Sequence, residues 1–357
     1  MKLGLGLYRH QLNADHFRFA RQCGASHLVI HMVDYFRSSR GNQTGDQPVG
    51  DDSGWGLAGD PDKLWSFEEL SAIKEEAAAH GLRIEAIENL DPAHWHDVLL
   101  DGPKKVEQLE NLKTLVRTVG RVGIPVIGYN FSLAGVAGRV KGPWGRGGAE
   151  VVAMDGPYDK PIPNGMIWNM IYDRNAPAGN LAPVTQEELW RRHGDFLDAL
   201  VPVAEEAGVR LAAHPDDPPT PTVRSQPRLV NQPQLYQRLI DRCPSPHNAL
   251  EFCLGTLAEM TDGDIYDAVE SYSRQNRIAY IHFRNVRGKA PDYVETFVDE
   301  GDIDMLRVLR ILKKNGFDGV LIPDHAPQMT CDAPWHAGMA YACGWMNAAL
   351  QSITSGP

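Results

Sequence analysis

The chain has 357 residues, with 35 Lys and Arg against 46 Asp and Glu, for a formal net charge of −11. That charge repels phosphate and no long basic run overcomes it, which argues against nucleic acid or an anionic membrane as partner and points to small-molecule chemistry. No stretch offers about 18 consecutive apolar residues, no apolar leader precedes a cleavage site, and five unpatterned cysteines do not describe a disulfide-stapled secreted domain, so the expectation is a cytoplasmic protein.

Taken in chain order, eight short apolar or β-branched runs alternate with helical stretches: "LGLGL" (3–7), "HLVIH" (27–31), "RIEAIE" (83–88), "PVIGYNF" (125–131), "VRLAAH" (209–214), "NALEFC" (248–253), "IAYIHF" (278–283) and "GVLIPDH" (319–325). Alternation of this kind marks βαβ units and a parallel sheet. Two of the helices announce their own ends, one with Ser66, Glu69 and Gly81, the other with Thr185, Glu188 and Gly208. The fold class expected is α/β, a single (β/α)8 TIM barrel spanning residues 1–357.

Two connections, near 37–64 and 132–183, exceed plain turns and are rich in Gly, Pro, Asp and Trp. Trp55, Trp144 and Trp168 suggest ordered lids at the C-terminal face of the barrel. "GPWGRGG" lacks the Lys-Ser/Thr ending of a phosphate loop, and the Gly4/Gly6 pair lacks the third glycine of a dinucleotide site.

Barrel active sites assemble at the C-terminal ends of the strands, so the residue ending each strand is the one to read. Strand five ends on His214, six on Cys253, seven on His282, and eight on Asp324 with His325. Taken singly, each has a bland reading: a hydrogen-bonded histidine, a small buried thiol, a helix-capping aspartate. Taken together, two imidazoles, a thiolate and a carboxylate on one rim make a competent divalent-metal site. His31 and Glu88, ending strands two and three, face the same mouth and are candidates to touch substrate hydroxyls.

"HPDDPP", "EFCLGT", "IHFRNV", "DEGDIDM" and "PDH", in this order and spacing, together with "YNF" at 129–131, resemble the mannonate dehydratase family, of the xylose isomerase-like TIM barrels, as a divergent member. The resemblance implies a Mn2+ or Fe2+ enzyme, with Zn2+ less expected, that dehydrates a sugar acid such as D-mannonate to a 2-keto-3-deoxy acid. It places the metal ligands on His214, Cys253, His282 and Asp324. Catalysis falls on His325 and Arg284, and substrate binding on Asn285, Tyr129 and Asn130. A homo-oligomer is a further implication.

The likeness departs from the family at the last strand, which reads "LIPDHAPQ" without the family's flanking arginines. The family's following tyrosine has only Tyr341 near its place. Arg139 and Arg146 are read as solvated loop residues, with replacement of the lost charge as the alternative. Two other functions stay open at this point: a metal-dependent sugar or keto-sugar epimerase or isomerase, and a non-catalytic carbohydrate-binding barrel with structural zinc.

Overall fold

The computed structural model describes residues 1–38, 41–42 and 54–354. Eight parallel strands close into a barrel: β1 (Lys2–Leu7), β2 (His27–Ile30), β3 (Arg83–Glu88), β4 (Val126–Tyr129), β5 (Arg210–Ala213), β6 (Asn248–Cys253), β7 (Ile278–His282) and β8 (Val320–Ile322). All eight expected runs are strands of this barrel. Several stop one to three residues before the polar group that ended the sequence run, so His31, His214, Asp324 and His325 stand on the loops just above the rim.

The helices form where capping and apolar spacing direct them. Ser66 Oγ accepts from the Glu69 N–H at the start of Phe67–Ala79, and Thr185 Oγ1 from the Glu188 N–H at the start of Gln186–Ala207. Gly208 ends the second helix at φ +68, a conformation that glycine adopts without strain. Among the described residues no helix is long and apolar enough to cross a membrane.

The barrel interior is a separate cluster from the layer between strands and helices. Val29, Ala86, Val126, Ala212, Ala249, Val320 and Ile322 fill it together with Tyr280. Alternation along each strand puts every second residue inside, and the many alanines leave room higher up for longer polar groups. Gly128 shows the need, because a Cβ there would lie 2.3 Å from both Glu251 Oε2 and the Tyr280 hydroxyl.

The described parts of the long connections are joined to one another. In the second, Met170–Ile171 pairs in parallel with Gly56–Leu57 of the first, and Arg139–Gly142 pairs with Val151–Asp155. The latter continues into Asp292–Glu295 and Val286–Lys289 of the connection after β7, making a four-stranded antiparallel sheet beside the barrel mouth. That third connection holds the Arg284–Asn285 and "DEGDIDM" motifs, but nothing in the sequence marked 286–295 as strands of a sheet. Of the first connection, residues 39–40 and 43–53 lie outside the described residues.

Candidate metal centre and substrate cleft

His214, Cys253 and His282 each offer a donor atom, and the three atoms lie within 4.8 Å of one another. Their positions follow from strand pairing, since Cys253 and His282 are register partners on β6 and β7, and the His214 N–H donates to the Tyr129 carbonyl at the end of β4. His214 Nδ1 lies 2.6 Å from the Pro215 carbonyl, which only accepts, so Nδ1 carries the proton and Nε2 is the nitrogen left for a metal.

Cys253 caps the short helix Leu254–Glu259. Its Sγ receives the Thr256 N–H at 3.5 Å, the Thr256 hydroxyl at 3.2 Å and Arg284 Nη2 at 3.3 Å. Burial pushes the thiol up, but the Arg284 guanidinium and the two histidines outweigh it and hold the thiol well below its ordinary value. That setting favours the thiolate, the form that binds metal.

His282 sits between two sets of acids. Nδ1 is 3.4 Å from Asp324 Oδ2, and it is a buried nitrogen with no hydrogen bond. Nε2 is 3.1 Å from Glu88 Oε2 and 3.2 Å from Glu251 Oε1. Burial opposes charge on the ring, yet Asp324 and Glu88 raise its pKa well above the usual histidine range. A buried Nδ1 without a hydrogen bond beside Asp324, with carboxylates at the opposite nitrogen, suits an imidazole that holds a metal with a carboxylate behind it.

Glu88, Asp217, Glu251, Glu259 and Glu295 are buried around Cys253 and Asp324, with Arg139 and Arg284 as the buried guanidiniums among them. Burial, aided by neighbouring Glu88, lifts Glu251 to about 8, and burial lifts Glu259 well above its ordinary value. Glu88 is held at about 2, because His31 and His282 overcome the cost of its burial. The convergence of the His214, Cys253 and His282 donors, with Asp324 beside His282, fits a divalent metal.

Beside the donors opens a cleft of ≈ 550 Å³ lined by His214, His282, Asp324 and His325, and also by His31, Glu88, Asn130, Arg139, Asp217, Trp55 and Trp168. His325 Nδ1 lies 2.9 Å from Glu295 Oε2 and its Nε2 lies 3.5 Å from Asp324 Oδ1. A carboxylate held below its ordinary pKa accepts, so Nδ1 donates to Glu295. His31 shares a hydrogen bond with the Tyr35 hydroxyl at 3.2 Å. Asn130 Oδ1 accepts the Trp168 indole N–H at 3.2 Å, so a barrel residue fixes a ring from the insertion. Trp55 and Trp168 meet edge to face at 5.3 Å in the cleft wall.

Not every residue expected at the site reaches it. Tyr129 points outward, because alternation on β4 places its ring against Phe196 and its hydroxyl 3.0 Å from His193 Nε2. Asn285 spends its amide on the chain, with Nδ2 donating to the Val298 and Ile303 carbonyls and Oδ1 accepting from the Val286 and Ile303 N–H groups. Arg284 is 2 % exposed and stands behind Cys253 and Asp324, so it holds the metal-side acids and does not line the cleft. Tyr341 and Arg146 bond to each other and to Asp299 near the surface. Arg139, read as solvated, is buried and lines the cleft.

Sequence reasoning missed Glu251, Tyr280, Asp217 and Glu295. The first two had a signal, since each lies two residues before a candidate donor on the same strand and so points inward with it. Asp217 was visible only as part of "HPDDPP". Glu295 had none, because the antiparallel sheet that delivers it forms between distant segments.

The family model described as D-mannonate dehydratase (UxuA) matches residues 40–146 and 178–349. The mannonate dehydratase of Streptococcus pneumoniae (strain 70585) is 31% identical over 286 residues, covering 76% of each chain. That of Lactococcus lactis subsp. cremoris (strain MG1363) is 29% identical over 289 residues, covering 74% of this chain and 79% of its own. The crystal structure of mannonate dehydratase from Streptococcus suis serotype2 superposes with a TM-score of 0.74 at 25% identity, over 100% of this chain and 95% of the other. A structure titled L-ribulose 3-epimerase matches at TM-score 0.55 and 13% identity over 99% and 98% of the two chains, a likeness of fold alone.

Proposed function

This chain belongs to the mannonate dehydratase family and is a sugar-acid dehydratase; from that premise we propose that its substrate is D-mannonate and its metal Mn2+ or Fe2+. His214, Cys253, His282 and Asp324 hold the ion. The observation that carries this reading is the convergence of the His214, Cys253 and His282 donors within 4.8 Å, beside a cleft that His325 lines. A thiolate with two imidazoles and one carboxylate suits a borderline transition metal better than Mg2+ or Ca2+.

Bound there, a divalent ion stabilises the negative charge that gathers on the substrate when the carbon beside its carboxylate loses a proton. His325 is the base. Its Nδ1 donates to Glu295, so Nε2, on the Asp324 side, is the nitrogen that takes that proton, and Glu295 then steadies the imidazolium. The 3-hydroxyl departs with the proton as water, supplied by the imidazolium just formed, and the enol that remains tautomerises to the 2-keto-3-deoxy acid. His31, Glu88 and Asn130 line the cleft at hydrogen-bonding positions for the other hydroxyls, and Trp55 and Trp168 cover its apolar side.

All described cysteines are free, which supports a reducing, cytoplasmic setting. Assembly as a homo-oligomer rests on family resemblance. The test is incubation of the Mn2+-loaded protein with D-mannonate and an assay for 2-keto-3-deoxy acid. Formation of that acid supports the reading. A product with the same formula as the substrate would move the chain to epimerase chemistry.

A further inference from the structure

We propose that Arg139 receives the carboxylate of the substrate and thereby selects an acid over a neutral sugar; the inference rests on the dehydratase reading of this site. Among the described residues lining the cleft, Arg139 is the only lysine or arginine, while Glu88, Asp217 and Asp324 line the same space. An anionic substrate entering that space meets three carboxylates. Beside the metal ion that the site would hold, a fixed guanidinium on the wall gives the incoming carboxylate a second, directional partner, and burial strengthens that contact.

The position of Arg139 relative to the base strengthens the case. Arg139 Nη1 lies 3.4 Å from Glu295 Oε1, and His325 Nδ1 lies 2.9 Å from Glu295 Oε2. One carboxylate therefore fixes both the cation and the imidazole. The proton removed in a sugar-acid dehydration sits on the carbon next to the substrate's carboxylate, so a group that grips this carboxylate must stand beside the base, and Arg139 does. A carboxylate has two acceptor oxygens, enough to meet a metal ion and a guanidinium together. Arg146, another cation of the insertion, is about half exposed and is engaged by Asp299 and Tyr341, away from the cleft.

The residue comes from the strand Arg139–Gly142 in the second long connection, not from the barrel. The barrel thus supplies the metal chemistry and the insertion supplies recognition of the acid.

The test compares Arg139→Gln and Arg139→Lys with the parent, each as full-length Mn2+-loaded protein. Initial rates give KM for D-mannonate, and D-mannitol, a neutral polyol of the same length, is measured as a competitive inhibitor. Arg139→Gln should raise KM for mannonate by about tenfold or more, the effect of losing a charged hydrogen bond, and leave the mannitol constant within about twofold. Arg139→Lys, which keeps the charge without the planar fork, should show a smaller loss, again confined to mannonate. Equal weakening of both ligands would reveal a brace acting through Glu295, and no weakening would remove Arg139 from recognition; either result overturns the proposal. Should Arg139→Gln fail to fold, the Lys variant decides by the same ratio. If the parent forms no keto-deoxy acid, the dehydratase reading fails by itself, and the two ligands are then compared by calorimetric titration.

Discussion

His214, Cys253 and His282 stand at or next to the ends of parallel strands in fixed register, whereas Arg139, Trp55 and Trp168 reach the same cleft from connections outside the barrel. The rim is therefore as rigid as the hydrogen-bonded barrel below it, and the opposite wall is only as well placed as the loop-to-loop pairing that supports it. The difference teaches where each kind of function resides. Metal binding needs donors held to a few tenths of an ångström and sits on strands, while selection among substrates sits on segments that vary without disturbing the barrel.

The comparison breaks most visibly at the rim. Cys253→Ala or His282→Ala should abolish stoichiometric metal and lower activity by about a thousandfold or more, checked by elemental analysis and by product formation. A chelator should have the same effect on the parent while circular dichroism stays unchanged, and Mn2+ or Fe2+ should restore turnover. Unfolding on chelation would instead favour a structural zinc.

His325→Asn should reduce kcat by about 10² to 10⁴ and keep the metal, the separation expected of a proton-transfer group beside the ions' ligands. Loss of metal in this variant would place His325 with the ligands.

Below the rim, Gly128→Ala presses a methyl group against Glu251 and Tyr280 at 2.3 Å, and an overpacked interior of this kind costs about 1–3 kcal/mol, read as a lower denaturant midpoint. On the outside of the barrel, burial holds His193 at about 3, against an ordinary value of 6.5. The unfolded chain therefore binds a proton below 6.5 that the folded one refuses, so stability falls as pH drops from 6.5 toward 3. His193→Gln should flatten that part of the stability profile relative to the parent.

The smallest effect belongs to the outer wall. Arg146→Ala removes an exposed pair with Asp299 and should change stability by under about 1 kcal/mol, with KM for mannonate unmoved, in contrast to Arg139.

How much of this was legible follows from the same division. The strands were visible because a buried parallel strand reads as a short apolar run, and the polar residue closing each run is a local feature that marks the rim. Asp324 and His325 were found even though β8 stops at Ile322, since chain direction carries them over the mouth. Facing was harder. Tyr129 was expected at the site from the resemblance at "YNF", yet one step along a strand turns a side chain to the other side of the sheet. Asn285 and Arg284 lie in the right stretch but serve the backbone and the buried acids. The sequence leaves Arg139 between a solvated residue and a replacement cation, and does not show Glu295, for a different reason: they meet only because segments near 139–155 and 286–295 form one sheet, a long-range pairing that no local pattern records.

The most direct test of the central claim is titration of metal-free protein with Co2+, followed by its absorption spectrum. Tight binding of one equivalent, with a thiolate-to-cobalt charge-transfer band that Cys253→Ser removes, is the predicted result. Binding of Co2+ with no thiolate band, or a band that survives Cys253→Ser, would contradict the assignment of the ion to His214, Cys253, His282 and Asp324.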